Sequence, residues 1–124
     1  MKKTIFYILD NRRRIVPVDD TVEFCNYFAK NSRRVDYTEI VAGCFVSTVF
    51  LGVDHNFSGD GPPILFETMV FGGEPTEIHY RGVNSGFEDY TRRYATYGEA
   101  HKGHWEVVDE VKKLLKSSSI DEEL

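Results

Sequence analysis

Residues 46–73 read VSTVFLGVDHNFSGDGPPILFETMVFGG, and this stretch decides the fold. Two runs rich in Val, Phe and Thr, residues 46–52 and 64–73, lie on either side of a polar loop that contains Asp54 and His55. Such residues favour strands, and the Gly and Pro residues between the runs are typical of a strand-to-strand connection. The sequence therefore predicts a β-hairpin with polar side chains at its tip.

Outward from this hairpin, β-type runs and one helical pattern recur in the N-terminal half. The first hairpin strand is expected to extend over residues 42–53, and the further predicted strands are residues 3–9, 14–18, 35–40, 77–81 and 90–94. Asp20 is suited to be the N-cap of a helix that Asn31 ends. The apolar face of this helix is expected to comprise Val22, Cys25, Phe28 and Ala29.

A second, longer helix is predicted near the C-terminus. Thr96 and Glu99 have the spacing of a capping box, which predicts a helix that begins at Tyr97. Its expected apolar stripe consists of Ala100, His104, Val107, Val108, Val111 and Leu115. The last residues, 117–124, read SSSIDEEL and have too little apolar content to pack, so a flexible acidic tail is expected there.

These elements predict an α+β fold, in which a largely antiparallel sheet of about five or six strands carries two helices on one face. A chain of 124 residues fits one domain, which we assign to residues 1–116. Aromatic residues make up 14% of the chain, more than such a small core needs, and some of the rings are therefore expected to lie in a homodimer interface.

Composition and motifs exclude several classes of function. No apolar run approaches the roughly 20 residues that span a bilayer, and no secretion leader is evident, so a cytoplasmic protein is expected. Fifteen basic and twenty acidic residues give a net charge of −5, which opposes general binding to duplex DNA. Cys25 and Cys44 lack metal-type spacing and are expected to be buried thiols. Because Walker, Rossmann and GxSxG motifs are absent, no cofactor is expected and an enzyme is disfavoured.

The hairpin loop partly resembles a calcium-binding loop. Oxygen-bearing side chains occur at alternate positions from Asp54 to Asp60, with Gly59 at the sixth position. The twelfth position is Leu65, however, where such loops carry a bidentate glutamate. The alternative is a turn whose side chains hydrogen-bond their own backbone.

Histidine and glutamate residues raise the question of a metal or catalytic site. His104 lies in the apolar stripe. It could be a hydrogen-bonded core histidine or a metal ligand in a metal-dependent hydrolase. Glu67 interrupts a strand whose alternation predicts a shared face with Leu65, Met69 and Phe71. On that face Glu67 could pair with His104 or an arginine, contact a ligand in a pocket, or lie exposed at an edge.

Arginine and tyrosine residues form several sequence clusters. Arg92, Arg93 and Tyr94 stand just before the second predicted helix, whose backbone amides would add affinity for an anion. Guanidinium groups bind phosphates and aromatic rings stack on bases, so such a cluster suits a nucleotide. Solvated charge beside structural tyrosine remains the alternative.

Three motifs, TVFLG-x-DH at residues 48–55, LFETMVFGG at 65–73 and YAT-x-x-EA-x-x-GH at 94–104, together resemble a family of small phage and prophage proteins. The resemblance covers residues 35–111. It implies a phage setting and no catalytic residue.

In that setting we expect a binding protein that counters host defence, either by sequestering a nucleotide-type immune signal or by blocking a host defence protein. The expected ligand-binding residues are Arg92, Arg93, Tyr94, Asp54, His55, Glu67 and His104. A small metal-dependent hydrolase is a further alternative.

Overall fold

The computed structural model describes residues 6–72 and 90–123, of which 117–123 are described by backbone alone. The elements in chain order are β1 (Phe6–Leu9), β2 (Ile15–Val18), α1 (Thr21–Lys30), β3 (Arg34–Val41), β4 (Cys44–Phe50), β5 (Phe66–Phe71), β6 (Thr91–Tyr94) and α2 (Tyr97–Glu123). The predicted α+β class is confirmed. The strand predicted at residues 77–81 lies outside the described residues.

The strands form two antiparallel sheets instead of the single predicted sheet. β3, β4, β5 and β6 make a four-stranded sheet in that order, and β1 and β2 make a separate two-stranded sheet. The small sheet is attached to the end of the large one, where the Tyr7 N–H donates to the Gly52 carbonyl oxygen at 2.8 Å. The predicted central hairpin is confirmed as β4 paired with β5.

Within the described residues, the four-stranded sheet has one face that a helix covers and one face that no helix covers. We call the covered side the inner face; β4 contributes Cys44, Val46, Thr48 and Phe50 to it, and all four are buried. β5 adds Phe66, Thr68 and Val70. The helix α2 contacts all four strands of this sheet. Burial of each large apolar side chain between sheet and helix contributes about 1.5–3 kcal/mol to folding, before the entropy of ordering is subtracted.

The start and the apolar stripe of α2 agree with the prediction. The Glu99 N–H donates to Thr96 Oγ1 at 3.1 Å, and the Thr96 hydroxyl donates to Glu99 Oε1 at 2.9 Å. The glutamate therefore contacts the threonine hydroxyl, whereas a full capping box would bring it to the backbone N–H. The buried helix residues are Ala100, Gly103, His104, Val107, Val108 and Val111. The helix continues to Glu123, within the segment where the acidic tail is predicted.

The first helix has the predicted ends but a different buried face. Asp20 Oδ1 accepts a hydrogen bond from the Val22 N–H at 2.8 Å, and Asn31 follows the last helical residue. Val22 is 66% exposed and Cys25 is also exposed, so the predicted apolar face, and burial of this thiol, are wrong. The helix instead turns the aromatic residues Phe24, Tyr27 and Phe28 towards the protein. Aromatic rings bury more apolar area than Val or Ala, which decides the rotation of the helix.

Gly52 allows α1 to approach the end of β4. Its backbone has a φ of +78°, a conformation that side-chain-bearing residues rarely adopt. A Cβ at this position would lie 2.8 Å from ring atoms of Phe24 and Phe28. The Phe28 ring then stacks on Phe50, with 5.9 Å between their centroids. A glycine at the end of β4 thus joins the helix to the core of the large sheet.

Neither helix, over the residues that the structure describes, is both long and apolar enough to cross a membrane.

Candidate functional site

Side chains of the loop between β4 and β5 form hydrogen bonds within the loop itself. Asn56 Nδ2 donates to the carbonyl oxygens of Asp60 at 2.6 Å and Pro62 at 3.0 Å. Asn56 Oδ1 accepts from the Ser58 N–H at 3.1 Å and from the Ser58 hydroxyl. Oxygens that a calcium ion would require are therefore used inside the loop. The alternative of a self-bonded turn is confirmed.

Asp54 and His55 close the base of this loop. Asp54 Oδ1 accepts hydrogen bonds from the N–H groups of Asn56 at 2.7 Å and Ile64 at 2.8 Å. The His55 N–H donates to the Ile64 carbonyl oxygen at 2.9 Å, and His55 Nδ1 donates to the Val53 carbonyl oxygen at 2.8 Å. Both predicted ligand-binding residues thus hold the loop in shape.

Glu67 lies on the open side of the sheet, which we call the outer face. Its Oε2 accepts a hydrogen bond from Arg93 Nε at 2.9 Å, across the β5–β6 pair. Pairing with an arginine, one of the predicted alternatives, is confirmed. The predicted common face with Leu65 is wrong, because Leu65 is fully buried and precedes the strand. Glu67 and His104 lie on opposite sides of the sheet.

The predicted cluster of Arg92, Arg93 and Tyr94 is divided between the two faces, because successive strand residues alternate. Arg92 lies opposite Thr68, an inner-face residue, and its Nη2 lies 3.3 Å from Glu106 Oε1. Arg93 lies on the outer face, and Tyr94 is buried on the inner one. These three residues therefore do not form one phosphate site.

A buried polar network crosses all four strands of the large sheet. The Tyr94 hydroxyl donates to Thr68 Oγ1 at 3.1 Å, and Thr68 Oγ1 lies 2.6 Å from Thr48 Oγ1. Thr48 Oγ1 lies 2.8 Å from His104 Nδ1, and His104 Nε2 lies 2.9 Å from Thr38 Oγ1. Each strand contributes one hydroxyl, and the helix contributes the imidazole. Among the described residues, every buried side-chain nitrogen and oxygen has a hydrogen-bond partner.

This network identifies His104 as a core histidine. The side chain is fully buried, and both ring nitrogens contact threonine hydroxyls. Burial lowers the pKa of His104 below its ordinary value, against an opposing contribution from the Asp36 carboxylate. The neutral imidazole then accepts a hydrogen bond at one nitrogen and donates at the other. A hydrogen-bonded core histidine, one of the two predicted readings, is confirmed.

Gly103 makes room for the ring of Tyr94 in this network. A Cβ at Gly103 would lie 2.3 Å from Tyr94 Cε1 and 2.4 Å from its hydroxyl oxygen. The tyrosine therefore lies directly against the backbone of α2 and reaches Thr68 beneath it. Thr48, Thr68 and Tyr94, which lie within the three sequence motifs quoted above, thus have packing roles.

A histidine–carboxylate pair beside the network was missed by sequence reasoning. His101 Nδ1 lies 2.7 Å from Asp36 Oδ2, which joins α2 to the edge strand β3. Asp36 and His101 are 65 residues apart in sequence, so only the sheet order brings them together. The described residues contain no group of three His, Cys, Asp or Glu side chains that could hold a metal ion.

The outer face presents a regular array of side chains. Its rows, taken from β3 towards β6, are Arg34–Val49–Glu67–Arg93, Tyr37–Ser47–Met69–Thr91 and Glu39–Phe45–Phe71. No helix of the described chain covers this array, since α2 lies on the inner side. The outer face thus combines apolar, hydroxyl and charged groups on one open surface.

Three aromatic rings form a ladder across this face. Tyr37 and Phe45 have centroids 5.1 Å apart, and Phe45 and Phe71 are stacked at the same separation. Tyr37 is 40% exposed and Phe71 is 43% exposed. The Arg34 guanidinium lies 4.3 Å from the Tyr37 ring centroid, and no carboxylate of the described chain pairs with it. We call these four side chains the aromatic ladder.

The sequence contains a weak signal for this surface. In the run from Cys44 to Phe50 both alternating sets are rich in apolar residues, as expected for a strand covered on both faces. Over the part of the chain that the structure describes, a helix covers only the set that contains Cys44 and Val46.

No protein-family model, no curated protein and no solved structure matches this chain.

Proposed function

We propose that this protein is a non-enzymatic binding protein that holds a nucleotide-type ligand on its outer face. The observation that carries the proposal is the aromatic ladder, an exposed row of rings that ends in a guanidinium without a carboxylate partner in the described chain. Rings of this kind stack on nucleobases, and arginine forks bind phosphate oxygens.

The second arginine of the outer face favours a ligand with more than one phosphate. Arg93 lies on β6 and Arg34 on β3, at opposite edges of the sheet. With about 4.8 Å between neighbouring strands, their backbones are roughly 14 Å apart. Arg93 Nε donates a hydrogen bond to Glu67, and the two Nη groups of Arg93 can still donate to a phosphate. A dinucleotide or a larger cyclic nucleotide can reach both guanidinium groups, whereas a mononucleotide engages one.

The open surface is a better candidate for ligand binding than the loop or the core, because the predicted reactive groups of the loop and the core already have internal partners. Asp54 accepts two backbone N–H bonds, Glu67 is paired with Arg93, and His104 is enclosed between threonines. A general base must reach the proton that it removes, and His104 is fully buried. A metal-dependent hydrolase finds no support among the described side chains.

The resemblance to phage proteins supplies the biological part of the proposal. A phage-encoded protein that binds a nucleotide without altering it would sequester an immune signal in the cytoplasm of the infected host. The second candidate is direct blocking of a host defence protein. It is favoured by Phe57, which is 85% exposed on the self-bonded loop and is therefore presented rigidly to a partner.

The experiment is a titration of the purified protein with cyclic dinucleotides, cyclic trinucleotides and mononucleotides. Binding is measured by calorimetry, and stabilisation is measured by thermal unfolding. Ligand at 100 times its Kd stabilises the folded state by about 2.7 kcal/mol and raises the Tm by several degrees. Base stacking contributes about 1–3 kcal/mol, so Phe71→Ala is expected to weaken binding about 5- to 150-fold. Trp105, which is 46% exposed on α2, provides the matched control, and Trp105→Ala is expected to bind normally.

Ligand recovered after denaturation is expected to have its original mass. Recovery of a cleaved nucleotide would contradict a binding-only function. A panel without any shift, or equal effects of Phe71→Ala and Trp105→Ala, would remove the outer face as a nucleotide site and leave the protein-partner candidate.

A further inference from the structure

We infer that the outer face also binds a second copy of this chain, in a face-to-face dimer related by a two-fold axis perpendicular to the strands. The inference goes beyond nucleotide binding and concerns what covers the same surface when no ligand is present. Its basis is a self-complementary arrangement of charge on β3. Arg34 stands in the first row of the outer face and Glu39 in the third, with Tyr37 between them.

The register of the sheet fixes the distances involved. Arg34 lies opposite Val49 and Glu39 lies opposite Phe45, so the two charges are separated by the length of β4 between these residues. At about 3.4 Å per residue this separation is roughly 14 Å. The row of Tyr37, Ser47 and Met69 lies midway.

A two-fold axis between the two sheets, perpendicular to the strands and level with the middle row, exchanges the first and third rows. Arg34 of each copy then faces Glu39 of the other, which gives two equivalent ion pairs. Val49 faces Phe45 of the second copy in the same way. An axis parallel to the strands would instead place Arg34 against Arg93, two like charges, and is disfavoured.

Both charges are available for such contacts. Arg34 and Glu39 are exposed, and neither forms an ion pair within the described chain. The rings beside them are only partly covered. Aligned packing of two sheets places the facing backbones about 10 Å apart, a gap that side chains of the size of Phe, Tyr and Met fill.

The size of the face predicts reversible association. Four strands at about 4.8 Å and three rows at about 7 Å describe a patch of roughly 19 by 21 Å. This is less than the approximately 800 Å² per partner that a standard stable interface buries. We therefore expect a monomer–dimer equilibrium in the micromolar range, which ligand binding to the same face would oppose.

The test is sedimentation velocity of the ligand-free full chain over a range of concentrations. Arg34→Glu and Glu39→Arg each place like charges together and are expected to weaken dimerisation at least tenfold. The double variant Arg34→Glu/Glu39→Arg restores opposite charges and is expected to recover most of the association. Arg12→Glu makes the same charge change in the exposed turn after β1 and is the matched control, with unchanged association.

A protein that is monomeric at every concentration would overturn the inference, as would a double variant that associates no better than the single variants. Equal weakening by Arg12→Glu would show a net-charge effect and would also overturn it. Far-ultraviolet circular dichroism verifies that each variant is folded. Because no nucleotide is present, failure of the dimer leaves the proposed ligand function untouched, and a flat nucleotide panel leaves the dimer untouched.

Discussion

The two faces of the four-stranded sheet are built from the same strands, yet they solve different physical problems. On the inner face, α2 removes the side chains from water, and Thr48, Thr68 and Tyr94 retain hydrogen bonds through His104. On the outer face, rings and charges remain accessible, and Glu67–Arg93 is an ion pair close to solvent. Buried polar groups must be satisfied internally, whereas exposed groups can be satisfied by water or by a partner. The inner face therefore contributes the buried core, and the outer face presents partly exposed side chains over the described residues.

Among substitutions that test the difference between the two faces, Gly103→Ala, on the inner side, is expected to have the largest effect on stability. The added Cβ would lie within 2.4 Å of the Tyr94 ring, which is held from below by its hydrogen bond to Thr68. Overpacking of this kind usually costs about 1–3 kcal/mol. Because the Tyr94 ring already lies against the backbone of α2, we expect this substitution to be at or above the upper end of that range. Urea denaturation is expected to show a loss of about 3 kcal/mol in the free energy of unfolding.

Gly98→Ala provides the matched control in the same helix. A Cβ at Gly98 meets no atom within 4 Å. Because alanine is a better helix former than glycine, this variant should be unchanged or more stable by up to about 1 kcal/mol. Equal destabilisation by both substitutions would mean that the close contact between Tyr94 and α2 is absent.

The next prediction compares neighbouring residues of β4 that point to opposite faces. Thr48→Val keeps the shape of the side chain but removes the hydroxyl that contacts both Thr68 and His104. Unsatisfied buried groups cost about 1–3 kcal/mol, so a loss of about 2 kcal/mol is expected. Ser47→Val, on the outer face, should change the free energy of unfolding by no more than about 0.5 kcal/mol. Both values come from the same denaturation experiment, and similar losses would contradict the difference between the faces.

The contrast between the faces also explains what the sequence could predict. Local signals were sufficient for the hairpin of β4 and β5, for the start of α2 and for its buried stripe, because turn residues, capping and periodicity act over a few positions. The contacts of His104 could not be predicted from such local signals. Its partners Thr38 and Thr48 are 66 and 56 residues away in sequence, and only the strand order brings them together.

The candidate site was harder to predict for a second physical reason. Residues adjacent in a strand alternate between faces, so Arg92 and Arg93, which look like one cluster, are separated by the sheet. The aromatic ladder shows the converse, because Tyr37, Phe45 and Phe71 come from three different strands. Proximity in sequence therefore predicts the cluster of Arg92 and Arg93, which the sheet divides. It gives no indication of the aromatic ladder, which the sheet brings together.

The smallest predicted effect concerns acid. Because burial lowers the pKa of His104 in the folded protein, the unfolded chain binds a proton more readily at this residue. The stabilising contribution is complete above the ordinary histidine pKa of about 6.5 and is lost as the pH falls towards the lower folded-state value. One such proton changes the free energy of unfolding by at most about 1.4 kcal/mol per pH unit.

Titration of the imidazole resonances by NMR measures this directly. His104 is expected to titrate below about 6.5. Asp36→Asn is expected to lower its pKa further, because the carboxylate of Asp36 raises the pKa and partly offsets burial. A parallel loss of unfolding free energy between pH 7 and pH 5 should accompany the titration of the wild-type protein. A His104 pKa at or above the ordinary value would mean that water or an anion reaches the ring, and the inner face would then have to be regarded as open to a ligand after all.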